Sequence, residues 1–270
     1  MHCISIKYGM KALCVVVMSI YSMASFHATA LEREAGCLPR VALLGDSMTW
    51  IGGDSCQNPQ GWSHYLKRSG LCGEIDMYAR SGATWCNTSA TKADTESYTE
   101  ILDADNVVYN QVLRLIKSAD SDSARTPEII IIMAGANDAW FRDRRPGIFE
   151  DNQRIIYENG KVTSPSNVIS LYGSVMLSVN NLKERFPTSK IVLVTPTEMS
   201  RAPAEIISKV SDIIEVAGKA CGVLTFRADK DVSIRHDEEK KNPHYTSDGV
   251  HTNSEGARML GEYIIGNLEL

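Results

Sequence analysis

Ser47, Gly82, Asn137, Asp248 and His251 are scattered over the 270 residues of this chain, yet their types suit one reaction, the transfer of an acyl group. A serine hydroxyl is a weak nucleophile until a base takes its proton. Beyond residue 30 there are histidines at 64, 236, 244 and 251, and only His251 sits in a turn that closely precedes a helical pattern. Asp248, three residues earlier, is spaced to fix the imidazole tautomer and stabilise the imidazolium. Attack on a carbonyl carbon leaves a negative oxygen that needs preorganised donors. The backbone amides of Ser47 and Gly82 and the side-chain amide of Asn137 would supply three. Glycine at 82 also lets the backbone approach a substrate closely. Taken singly, Ser47 and Asn137 also read as helix caps and Asp248 as an Asp-Gly turn residue. The set of five is what points to chemistry.

These residues must be brought together by the elements around them. The sequence predicts strands over 41–44, 74–79, 129–133, 190–194 and 223–226, and helices over 62–67, 107–117, 167–186, 204–217 and 254–268. The run Ile129-Ile130-Ile131-Ile132 has the unbroken apolar character of a strand covered on both faces. Strand and helix patterns alternate, which implies βαβ units and a parallel sheet with helices on both sides. All strand ends then point one way. Ser47 follows the first strand, Gly82 the second and Asn137 the third, while Asp248 and His251 precede the last helix, so they converge on one sheet edge. Residues 139–166 lack periodicity and read as an insertion over that edge, with Arg142, Arg144 and Arg145 on a solvated face.

The four blocks carry a resemblance. Gly45-Asp46-Ser47, Gly82, Gly135-Ala136-Asn137-Asp138 and Asp248-Gly249-Val250-His251, in that order, resemble the SGNH, or GDSL-like, hydrolase family. The resemblance spans nearly all of the chain from Val41 onward. It implies a flavodoxin-like three-layer α/β/α sandwich, with Ser47 as nucleophile, His251 as base, Asp248 as its partner, and Ser47, Gly82 and Asn137 as oxyanion donors. The α/β-hydrolase alternative wants Gly-x-Ser-x-Gly, whereas this run is Gly45-Asp46-Ser47-Met48-Thr49.

Lys7 and Lys11, an apolar run over 12–20 and a small-residue Ala28-Thr29-Ala30 site read as a secretory signal peptide. Cleavage after Ala30 would leave one domain over 31–270. It removes two Lys and no Asp or Glu, taking the formal charge from −5 to −7. Such an acidic chain is poorly suited to nucleic acid or anionic lipid. No segment beyond the leader is apolar enough to span a membrane, so a periplasmic or secreted location is expected. The histidines are not spaced as a zinc site and no Cys-x-x-Cys occurs, so neither metal nor cofactor is expected. Export permits disulfides. Adjacent strand starts suggest Cys37–Cys72, adjacent motif loops suggest Cys56–Cys86, and Cys221 is left free.

Trp50, Trp85 and Trp140 each stand three residues after one of Ser47, Gly82 and Asn137. They are read as an aromatic wall for sugar rings or acyl chains. The expected substrate is a small-molecule or glycan ester, chiefly acetyl on carbohydrate. A lipase or lysophospholipase activity, an acyltransferase and a catalytically silent binding module on the same fold stand as alternatives.

Overall fold

The first strand, β1 (Val41–Gly45), is buried at every position and receives a neighbour on each side. The computed structural model describes residues 38–97, 99–150, 157–158, 161–162 and 164–269. The expected signal peptide and Cys37 lie outside these residues. After β1 the chain makes a one-turn helix α1 (Ser47–Trp50), then α2 (Trp62–Arg68), the short β2 (Ile75–Met77) and α3 (Val108–Ser121). β3 (Ile129–Met133) follows, wholly buried, and leads straight into α4 (Ala136–Trp140). A small hairpin, β4 (Tyr157–Glu158) with β5 (Lys161–Val162), precedes α5 (Leu171–Arg185), β6 (Lys190–Val194) and α6 (Ala204–Cys221). The chain closes with β7 (Leu224–Phe226), two short helices α7 (Ala228–Asp231) and α8 (His236–Lys241), and α9 (Ser254–Asn267).

The sheet runs β2-β1-β3-β6-β7 and every pairing in it is parallel. Without the hairpin this is the 2-1-3-4-5 order of flavodoxin-type sheets. Val41 pairs with Ile129 and Gly45 with Met133, so β1 and β3 end level with each other. α2 packs on α9, while α3 and α6 pack on α5, giving the two outer layers of an α/β/α sandwich. The apolar spacing expected for 204–217 is real: Ile207, Val210, Ile214, Ala217 and Cys221 are buried along α6. No helix among the described residues is long and apolar enough to cross a membrane.

Boundaries differ from expectation in physically simple ways. The helix expected over 167–186 starts at Leu171, because Pro165–Asn167 forms a separate 3₁₀ turn and Ser170 caps α5 by accepting from Gly173 N. α9 is capped by Asn253, which accepts from Glu255 N and Gly256 N, and Ser254 is its first residue. The described residues within 139–166 include a 3₁₀ turn at Arg142–Arg144 and the paired strands β4 and β5, which the sequence did not predict.

Candidate functional site

The turn after β1 is shaped by what its backbone must clear. Gly45 has φ +143, and a Cβ there would strike the Met133 carbonyl, because β1 and β3 pack closely at their ends. Gln111, wholly buried on α3, accepts from Gly45 N and donates to Gly45 O, both at 2.8 Å. Asp46 then caps α1, its Oδ1 accepting from Met48 N at 2.9 Å, while its Oδ2 accepts from Ala136 N at 3.3 Å. Ser47 is thereby the first residue of α1, and it is 8% exposed. Burial pushes the Asp46 carboxyl up to about 7, against the Met48 hydrogen bond, with the nearby Asp138 adding to the rise.

The Gly82 turn lies beside it. Arg80 N donates to Gly45 O at 3.1 Å, tying the two turns together. Gly82 has φ +76, and a Cβ would collide with the backbone of Ile101 and Leu102. From the first turn of α4, Asn137 reaches across to the same turn, its Nδ2 donating to Ala83 O at 2.9 Å. Its neighbour Asp138 accepts from Trp85 N and Cys86 N, each at 2.9 Å, and burial raises its carboxyl. Among the described residues, the Ser47 and Gly82 amides and the second Nδ2 hydrogen of Asn137 have no intramolecular acceptor.

The histidine loop is braced from several sides. Buried Glu239 on α8 accepts from the amides of His244, Tyr245 and Thr246 and from the Thr246 hydroxyl. Ser200 N donates to Gly249 O at 2.7 Å, and Thr252 Oγ1 to Gln60 O at 2.6 Å. His251 Nδ1 lies 2.7 Å from Asp248 Oδ2. A carboxylate only accepts, so Nδ1 carries the hydrogen and Nε2 of a neutral ring is left as the acceptor. Burial works against the charged form of Asp248. The hydrogen bonds from the His251 ring and amide and from Val250 N outweigh it, and its carboxyl is held below its ordinary value. The His251 ring lowers the Asp46 carboxyl, as the smallest of the influences acting on it.

A serine at a buried strand end, amides at Ser47 and Gly82 with no acceptor among the described residues, and a His251–Asp248 pair are the group types that acyl transfer uses. The sequence profile of the GDSL-like lipase/acylhydrolase family matches residues 41–264. The chain belongs to that family. This GDSL-like hydrolase superposes on a protein from Lactobacillus plantarum with TM-score 0.59 at 18% identity, over 87% of this chain and 98% of that one. It also superposes on a candidate GDSL-like lipase from Bacteroides uniformis, with TM-score 0.55 at 16% identity over 86% and 95% of the two chains. A second such protein, from Bacteroides ovatus, gives 0.52 at 15% identity over 86% and 98%. At these identities the likeness is one of fold. No curated protein matches the sequence at a significant level.

Several expectations for this GDSL-like hydrolase need correction. Trp85 does not line a cleft: it is fully buried, and its Nε1 donates to Ala134 O at 3.1 Å, so it packs under the loops. Trp50 and Trp140 are half-buried, and Trp140 stacks on Phe141 with ring centroids 4.8 Å apart. Arg145 is not on a solvated face: it is buried, and its Nη2 donates to Asp103 O at 2.9 Å. Cys56 and Cys86 are free, because they belong to opposite layers. Cys56 O contacts the His64 ring on α2, whereas Cys86 Sγ donates to Ile169 O ahead of α5. Cys72 is a free thiol too, and its expected partner Cys37 lies outside the described residues. Among the described residues no His, Cys, Asp and Glu cluster could hold a metal.

Sequence reasoning missed Gln111 and Glu239. Gln111 left a signal, as a polar residue inside the Val108, Val112, Leu115 stripe. Glu239 holds a loop whose hydrogen-bonding partners have no fixed spacing.

Proposed function

We propose that this chain is an exported serine esterase that removes short acyl groups, chiefly acetyl, from carbohydrate. In this reading His251 Nε2 takes the proton of Ser47 Oγ as the oxygen attacks the ester carbonyl carbon. The carbonyl π electrons move onto oxygen, where the amides of Ser47 and Gly82 and the Asn137 side chain receive the charge. Collapse breaks the bond to the alcohol, which leaves with the proton that His251 returns, and an acyl-Ser47 remains. Water, deprotonated by the same ring, repeats the attack and releases the acid. Asp248 keeps the ring in the required tautomer and stabilises its charged form.

The observation that carries this reading is the 2.7 Å His251–Asp248 contact, together with Ser47 and Gly82 N–H groups that have no acceptor among the described residues. The glycan preference rests on Trp140, half-buried one helical turn past Asn137, with the Arg201 guanidinium 5.6 Å from its ring centroid. Flat aromatic faces suit the apolar faces of sugars. Export rests on the residues before Ala30. A lipase-type reading has one observation in its favour: Ile101, 68% exposed, flanks the Gly82 turn, where a longer acyl chain would find apolar surface.

The test is turnover of p-nitrophenyl acetate by the wild type, Ser47→Ala and His251→Ala. Each variant is expected to lose at least about 10³ in kcat with its fold intact. Retained activity in folded Ser47→Ala would remove the mechanism. An acetyl, butyryl and octanoyl series, with acetate release from acetylated xylan, tests the substrate. Octanoyl preference without acetate release favours the lipase reading.

A further inference from the structure

We propose that Asn106 is a positioning residue that sets the aim of the Gly82 N–H. This rests on the reading of that N–H as an oxyanion donor. Ala83 N donates to Arg80 O at 3.3 Å, closing a four-residue turn with Gly82 at its third position and φ +76. That is the type II arrangement. Its weakness is the central peptide, between residues 81 and 82. Rotating that one peptide plane converts type II to type I with little movement elsewhere, and glycine removes the steric penalty on either form. The Ser81 carbonyl and the Gly82 N–H are opposite edges of this plane. A flipped plane would therefore turn a carbonyl oxygen to where the N–H belongs, repelling the oxyanion instead of receiving it.

Asn106 holds the plane by its other edge. The residue is 2% exposed, and its Nδ2 donates to Ser81 O at 2.7 Å and to Ile101 O at 2.8 Å. Both partners are carbonyl oxygens, so only the NH₂ end of the amide satisfies them, and its orientation is fixed chemically. The Ile101 bond presses the 101–102 backbone against the α-carbon of Gly82, where a Cβ would not fit. The backbone of Asn106 is itself anchored, since its carbonyl accepts from Thr84 N at 3.1 Å. With Ser81 O pinned inward, the Gly82 N–H faces outward and has no intramolecular acceptor among the described residues.

The control lies in the same loop. Asn110 is equally buried, and its Nδ2 donates to Lys92 O at 3.0 Å and Asp105 O at 2.8 Å. It anchors the loop without touching the 81–82 peptide. Wild type, Asn106→Ala, Asn110→Ala and Ser47→Ala are assayed on p-nitrophenyl acetate, with active sites counted by fluorophosphonate labelling taken to completion. Asn106→Ala is expected to lose about 10–10²-fold in kcat per labelled site, with KM changed less than about threefold. Asn110→Ala should lower the melting temperature while keeping kcat per labelled site within about threefold of wild type. If Asn106→Ala does not fold, the isosteric Asn106→Asp, which keeps the shape and removes both N–H donors, is read in its place. Equal losses in the Asn106 and Asn110 variants, or an unchanged kcat per labelled site at 106, would make Asn106 a loop anchor and overturn the proposal. A wild type that turns over no ester, or a fully active Ser47→Ala, overturns the hydrolase reading and this role with it.

Discussion

One N–H of Asn137 is committed to Ala83 O, and the other has no acceptor among the described residues. Replacing the side chain therefore has two separable effects. Asn137→Ala should lose about 10²–10³ in kcat with little change in KM, as expected for a donor used in the transition state. It should also lose about 1 kcal/mol of stability, because Ala83 O is left without its donor. Steady-state kinetics and a urea melt read the two effects apart, and a change confined to KM would mean uniform substrate binding instead. The placement of such residues just past strand ends was legible in the sequence, because their types follow strand patterns in a fixed order. That of the tryptophans was not. Trp85 and Trp140 share the same offset from a motif residue, yet one is fully buried and the other half-buried. Offset along the chain carries no information about which side of a turn a ring takes.

Strand β1, helix α4 and the Gly82 turn meet over two buried carboxylates. Asp46 is pushed up to about 7 by burial, and Asp138 is raised by the same cause. A carboxyl whose value is raised on folding binds its proton more tightly in the folded state. Its contribution to stability is complete below the unfolded value and is lost as pH rises through the folded one. Wild-type stability should therefore fall between about pH 4 and about pH 7, by a few kcal/mol at most. Urea unfolding across that window should show a shallower fall for Asp46→Asn, with the residual slope owed to Asp138. Identical slopes would show that Asp46 stays charged throughout. At this scale the sequence served well for β1, β3 and α6, whose apolar spacing is unbroken. It served poorly for 139–166 and 228–246, where one-turn helices and a two-residue hairpin are too short to leave a period.

Across the whole molecule, the five-stranded parallel sheet was legible from alternation alone, whereas the cysteine pairing was not. Neighbouring strand ends are close, but the chain leaves them toward different helical layers. That separates Cys56, at α2, from Cys86, ahead of α5. Thiol titration of the denatured, unreduced protein should accordingly count Cys56, Cys72, Cys86 and Cys221 as free, and reductant should leave the melting temperature unchanged. A Cys56–Cys86 peptide in a non-reducing digest would contradict this. The order of the chain has one more consequence. The last strand ends at Phe226, and His251 comes after it, on a loop followed by α9 packed on α2. Every strand of the sheet is available before the histidine has been synthesised. A ribosome making this chain delivers Ser47 204 residues before His251. In the proposed mechanism, a product truncated before His251 would hold every strand of the sheet and Ser47, but not the base assigned to it.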